Sequence, residues 1–150
     1  AQVLREAGEF AAAFSRGWRE GFGSVDVYWV MPDQLSKAGP SGEYVPRGAP
    51  HVSGKRNWIR GVPLKLAIGV IVGEDGKVTF VGGPVEAIRA KTNTYVVLVP
   101  GDLSGKDLFR HVLGALVRKM PRELQEKVLE SSVEEVREFI PYSKGRISER

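Results

Sequence analysis

Leu64-Lys65-Leu66-Ala67-Ile68-Gly69-Val70-Ile71-Val72, then Gly73-Glu74-Asp75-Gly76, then Lys77-Val78-Thr79-Phe80-Val81, is the stretch that decides the fold of this 150-residue chain. Two runs rich in β-branched residues flank four turn formers, which is the pattern of a β-hairpin. A third run over residues 94–99, Thr94-Tyr95-Val96-Val97-Leu98-Val99, has the same character and is expected to join the same sheet.

Beyond the hairpin, Gly82-Gly83-Pro84 offers a tight turn and a proline for the first position of a short helix over 84–91. Ser104, followed three residues later by Asp107, predicts a capped helix whose apolar stripe is Leu108, Phe109, Val112, Leu113, Leu116, Val117 and Met120. Ser132 and Glu135 predict a second capping box, opening a short helix with Val133, Val136, Phe139 and Ile140. After Pro141 the chain reads as a flexible tail, 141–150.

Before the hairpin, Val3, Leu4, Ala7, Phe10, Ala11, Phe14 and Trp18 recur at steps of three and four, which places them on one face of a helix ending near Gly21 and Gly23. Asp26-Val27-Tyr28-Trp29-Val30 reads as a short strand stopped by Pro32. Tyr28 and Trp29 are adjacent on it and face opposite ways, so at least one is expected in the core. From Ser36 to Gly61 the recurrence of Gly39, Pro40, Gly42, Pro46, Gly48, Pro50 and Gly54 predicts a long loop, a length usually tied to function or motion. The fold class is therefore α+β: a small, mainly antiparallel sheet (the hairpin of about 64–81 plus strand 94–99) packed with an N-terminal helix and C-terminal helices, in one domain over 1–140.

A chain of this length can bury a core without staples, and 42% hydrophobic with 27% charged residues excludes disorder along its whole length. There is no 18-residue apolar run, and the first helix is studded with Arg5, Glu6, Glu9, Arg16 and Arg19, so neither a membrane span nor a signal peptide is read. Cysteine is absent, which removes disulfides, thiol catalysis and thiolate metal sites; a reducing cytoplasm fits. The formal charge is +4, yet Lys37, Arg47, Lys55, Arg56, Arg60 and Lys65 stand against Glu43 alone between residues 36 and 65. Such clustering points to an anionic partner, with a merely solvated basic surface as the alternative.

Signatures of catalysis are thin. The glycines of 69–76 and 82–83 lack the lysine and hydroxyl of a phosphate-cradling loop, and Gly101 to Gly105 precedes Lys106 without the other parts, so these glycines read as turns. His51 and His111 have no serine and carboxylate at triad spacing, and the linear spacing of Asp26, Asp33 and Glu43 gives no support to a metal-dependent nuclease. No enzyme activity, cofactor or metal is expected. Gly54-Lys55-Arg56-Asn57-Trp58-Ile59-Arg60-Gly61 is more informative. Lysine and arginine neutralise phosphates, and the indole of Trp58 either stacks on a base or buries itself against the hairpin to pin the loop.

Tyr28-Trp29-Val30, Pro32-Asp33-Gln34-Leu35-Ser36-Lys37, Pro40-Ser41-Gly42-Glu43-Tyr44 and Gly54-Lys55-Arg56-Asn57, in that spacing, resemble the NFACT-R domain of the NEMF/RqcH family. The resemblance spans about residues 4–72, and the C-terminal half is similar to archaeal members more loosely. It implies a non-catalytic RNA-binding domain of a cytoplasmic ribosome-associated quality-control factor, with tRNA and the large ribosomal subunit carrying a stalled nascent chain as partners. The implied RNA-binding residues are Ser36, Lys37, Arg47, Lys55, Arg56, Asn57, Trp58 and Arg60. The alternatives are a module docking an acidic protein and an RNA-processing nuclease. In the family a strand region precedes the first helix. Its absence here predicts an unpaired sheet edge and association into a homo-oligomer. Ala49-Pro50-His51 also stands where the family usually has Ser-Phe-Met before the basic motif.

Overall fold

The computed structural model of the chain describes residues 2–36, 51–129 and 133–148. Helix α1 (Gln2–Ala13) and a short α2 (Arg16–Glu20) lead into β1 (Ser24–Trp29), a single 3-10 turn and β2 (Leu35–Ser36). From residue 51 come β3 (His51–Val52), β4 (Asn57–Pro63), β5 (Leu66–Val72), β6 (Val78–Gly83), α3 (Val85–Arg89) and β7 (Tyr95–Ser104). The chain continues through α4 (Gly105–Val117), α5 (Arg122–Leu129), α6 (Val133–Arg137) and β8 (Lys144–Ile147). This is the α+β class that the sequence implies. Among the described residues no helix is long and apolar enough to cross a membrane.

The hairpin forms as read: β5 pairs antiparallel with β6 from Ala67↔Gly83 to Val72↔Val78. The third run pairs on the other side of β5, from Leu66↔Leu98 to Gly69↔Tyr95, which gives a sheet of order β6-β5-β7-β8. Both faces of the central strand are covered. Leu66, Ile68 and Val70 meet Val96, Leu98, Leu108, Val112 and Leu116 on one side, and Ala67 meets Val85 and Ile88 on the other. A strand buried on both faces reads as a continuous apolar run, which is why this stretch dominates the sequence.

Several expectations are corrected. The N-terminal helix breaks after Ala13, and Ser15 caps α2, accepting from the Gly17 N–H. The apolar face of α1 is not the one it buries: Val3, Leu4, Phe10 and Phe14 are exposed, while Gly8, Ala12 and Ala13 are buried. A methyl group at Gly8 would stand 3.2 Å from Val27 and 3.3 Å from Ile59, so the small-residue face lets the helix approach the strands closely. Helical periodicity locates faces but does not say which one packs. Part of the long loop is strand: β4 pairs antiparallel with β1, from Ser24↔Pro63 to Trp29↔Asn57, as a two-stranded ribbon. Residues 144–147, read as part of the tail, form β8 and pair with β7 through Leu98↔Ile147 and Val99↔Arg146. Pro84 is the residue before α3, not its first, and Ser104 precedes α4 without a side-chain capping bond. The Ser132 box lies outside the described residues.

The ribbon layer and the sheet are joined at Trp18. Its side chain is fully buried, and its indole N–H donates to the Lys144 carbonyl at 2.6 Å, tying α2 to β8 across 126 residues of sequence. Removing a buried donor strands its partner, so Trp18→Phe is expected to cost about 1–3 kcal/mol and Trp18→Ala about 3–5 kcal/mol. Urea unfolding followed by circular dichroism measures both. A Trp18→Ala loss under about 1 kcal/mol would show that the two layers are joined elsewhere.

Candidate nucleic-acid interface

The ribbon presents two different faces because its strands alternate. Val25, Val27 and Ile59 point to α1 and the core, and Tyr28, Trp58, Asp26 and Arg60 lie on the face away from it. On that outer face Tyr28 and Trp58 are cross-strand partners whose ring centroids are 5.2 Å apart, tilted at 60°. The rings are 43% and 47% exposed, so neither is a core residue. A guanidinium covers each end of the pair: Arg56 lies 5.1 Å from the Tyr28 centroid and Arg60 lies 4.6 Å from the Trp58 centroid. The result is a four-member row of arginine, tyrosine, tryptophan and arginine open to solvent.

Asp26 closes one end of the row. Its Oδ2 is 3.0 Å from Arg60 Nη1, and its Oδ1 accepts the Gly61 N–H at 2.8 Å. The register shift between Val25 and Val27 on β1 and the positive φ of Gly61 (64°) on β4 make this bond geometrically available. The Gly61 N–H first and the Arg60 guanidinium second hold the Asp26 carboxyl below its ordinary range. At the other end Gln34 staples the turn that delivers Arg56. Its Nε2 donates to the Ser53 and Lys55 carbonyls at 2.9 and 2.8 Å, while its Oε1 accepts the Met31 N–H at 2.8 Å. Gly54 sits in this turn at φ 75°, where a methyl group would meet Gln34 Nε2 at 3.3 Å.

The structure brings together Arg56, Trp58 and Arg60 from the sequence-derived set. Arg56 and Arg60 are four residues apart, roughly 13 Å along an extended strand, so they address separate positions on a ligand. Lys55 lies at the turn with its carbonyl bound by Gln34, and Asn57 spends its side-chain amide on the Trp29 carbonyl at 3.1 Å. Ser36 pairs with His51 through β2 and β3, and Lys37 and Arg47 lie outside the described residues. Neither Tyr28 nor Trp29 is buried, against the expectation that one would be core; Trp29 is 37% exposed at the strand end. Tyr28, Asp26 and Gln34 are the site residues that sequence reasoning missed. Parity along β1 puts Asp26 and Tyr28 on one face, but only the pairing with β4 shows that this face also holds the arginines.

Of the carboxylates weighed for metal binding, Asp26 is engaged by Arg60 and Gly61, and Glu43 lies outside the described residues. Among the described residues no group of three or more acidic, histidine or cysteine side chains is placed to hold a metal ion. A second basic feature lies between β7 and α4, a groove of about 290 Å³ lined by Arg89, Tyr95 and Lys119 among others. There the Arg89 Nε donates to the Tyr95 hydroxyl, which raises the Arg89 pKa, and Lys119 Nζ donates to the Tyr95 carbonyl.

Residues 1–54 match the family model of the NFACT protein RNA binding domain. The chain is 39% identical over 101 residues to the archaeal Rqc2 homolog aRqcH of Methanocaldococcus jannaschii, an alignment covering 67% of this chain and 15% of that protein. It is 33% identical over 70 residues to the ribosome quality control complex subunit NEMF homolog of Drosophila melanogaster, covering 47% and 7%. Ribosome quality control complex subunit 2 of Schizosaccharomyces pombe is 31% identical over 69 residues, covering 46% and 7%. The chain thus spans a small fraction of the length of these relatives. No solved structure matches.

Because Tyr28 and Trp58 are half-exposed, truncating either to alanine is expected to cost no more than about 1.5 kcal/mol, the scale of an aromatic pair. Thermal or urea unfolding checks this, and a loss above about 3 kcal/mol for Trp58→Ala would place the indole in the core after all.

Proposed function

With NFACT-R sequence of the RqcH/NEMF family in this chain, we propose that it is a non-catalytic RNA-binding domain of a ribosome-associated quality-control factor working in the cytoplasm. Its RNA partners are tRNA and the RNA of a large ribosomal subunit carrying a stalled nascent chain. The observation that carries the reading is the row of Arg56, Tyr28, Trp58 and Arg60 on the outer face of the β1–β4 ribbon. A fold gains stability by burying aromatic rings, and two half-exposed rings bracketed by guanidinium groups are a form suited to stacking on bases. Arginine adds a planar donor set for phosphate, and the local excess of positive charge draws a polyanion to the same surface.

The same cations could dock an acidic protein, but such a partner makes little use of exposed aromatic faces, so the rings favour RNA.

Replacing Lys55 and Arg56 by alanine is expected to weaken binding of tRNA or ribosomal RNA by about 1–3 kcal/mol and to flatten the slope of log affinity against log salt by about one to two units. Fluorescence anisotropy across a potassium chloride series measures both. Unchanged affinity and slope would remove this surface as the RNA site, and displacement by polyglutamate as effective as by RNA would favour the acidic-protein reading. Labelled tRNA incubated with the protein and Mg²⁺ or Mn²⁺ is expected to stay intact. Cleavage that disappears in Asp26→Ala or Asp33→Ala would identify a nuclease instead.

A further inference from the structure

We propose that Asp26 is a positioning residue that makes the ribbon selective for unpaired RNA over duplex RNA, by holding Arg60 over the Trp58 ring and offsetting its charge toward phosphate. The inference rests on the ribbon being the RNA surface. A ribbon carrying free cations would accept any phosphate backbone, since neutralising phosphates is independent of sequence and pairing. An A-form duplex offers a shallow minor groove, hydroxyls and phosphates, and keeps its base faces stacked inside, whereas an unpaired segment exposes those faces. A cation held over an indole suits the second ligand.

Arg60 is not a free cation. Its Nη1 lies 3.0 Å from Asp26 Oδ2 while its guanidinium stays 4.6 Å from the Trp58 centroid. The carboxylate cannot easily swing away to release it, because its second oxygen is held by the Gly61 N–H at 2.8 Å. A phosphate approaching Arg60 therefore meets a fixed negative charge beside the positive one, and like charges repel. A base approaching the same place meets a guanidinium seated over an indole, and a cation attracts a base's π face without regard to which base it is. The carboxylate remains ionised well into the acidic range because the Gly61 N–H and Arg60 both favour its charged form, so this device is present throughout neutral pH.

The experiment compares the full 150-residue chain with Asp26→Asn, which is the same size and keeps an oxygen for the Gly61 N–H but loses the charge. The probes are an oligouridine of about twelve nucleotides and an RNA duplex of about the same length, titrated by anisotropy across a salt series. The parent is expected to bind oligouridine about tenfold or more tighter than duplex. Asp26→Asn should tighten duplex binding about threefold or more and steepen its salt slope by about 0.9, one phosphate's worth, so that the preference for oligouridine narrows by at least that factor. The double variant Asp26→Asn/Arg60→Ala should lose that gain, which places the effect on Arg60 and not on the strand. If asparagine lowers the melting temperature, Asp26→Thr, neutral and suited to a strand, takes the same measurement. An unchanged duplex affinity and slope in the neutral variants would overturn the role of Asp26. A parent that binds neither probe, or binds both undiminished after Arg56→Ala and Trp58→Ala, would instead overturn the RNA surface itself.

Discussion

The indole of Trp18 is the contact on which the placement of the rest depends. It is held in a fully buried slot between α2 and β8, and its only polar atom gives its hydrogen to the Lys144 carbonyl. A buried N–H without an acceptor is costly, so the bond fixes orientation as well as distance. Gly145 lies under the ring, where a methyl group would stand 3.4 Å from Cζ2 and 3.0 Å from the Val99 carbonyl. The last strand can therefore pass beneath the indole and still pair with β7. Lys144 adds a contact of its own, with Nζ donating to the Arg19 carbonyl at 3.4 Å. These ties set how the helix pair and its ribbon meet the four-stranded sheet.

From that joint follows the exposure of the ribbon's outer face. Gly17 lies against Val25 and Leu64, and Gly8 against Val27 and Ile59, so the helices grip the inner face through residues too small to keep it at a distance. The inner face is thereby closed and the outer one is left to solvent. On α1 the consequence is unusual for an amphipathic helix: Phe10 and Phe14 stack on one another at 4.8 Å on the exposed side. Close approach at the small-residue face outweighs burial of the larger side chains because it brings two helices and two strands into one packed layer.

The row of arginines and rings also shows how a strand pair can order long, flexible side chains. Arg56 and Arg60 would lose rotamer freedom if fixed only on binding, and part of that loss is already met where each guanidinium rests on a ring. Asp26 and Gln34 act at opposite ends, one through the side chain of Arg60 and the other through the backbone that precedes Arg56. Both are ordinary polar residues in the sequence, and although Gln34 falls within the Pro32-to-Lys37 string of the resemblance, nothing local marks the role of either.

How much of this was legible depends on the range of the interactions. The β5–β6 hairpin, the pairing of the third run and the stripe of α4 were readable, because a turn, a period of two and a period of 3.6 are written in neighbouring residues. The concentration of charge around Lys55, Arg56 and Arg60 was equally local, as was the likeness of about residues 4–72 to a known domain. What periodicity could not supply was partners. Residues 57–61 look like loop beside so many glycines and prolines until β1 offers them a ladder, and 144–147 look like tail until β7 does. Trp58 was left between core and surface, and Val3, Leu4, Phe10 and Phe14 were assigned to the wrong side of the packing. The sequence by itself determined which residues alternate, which recur helically and where charge gathers. The tertiary structure alone decided which face is covered and which side chains meet, since burial and cross-strand contact are properties of two segments and are encoded in neither one.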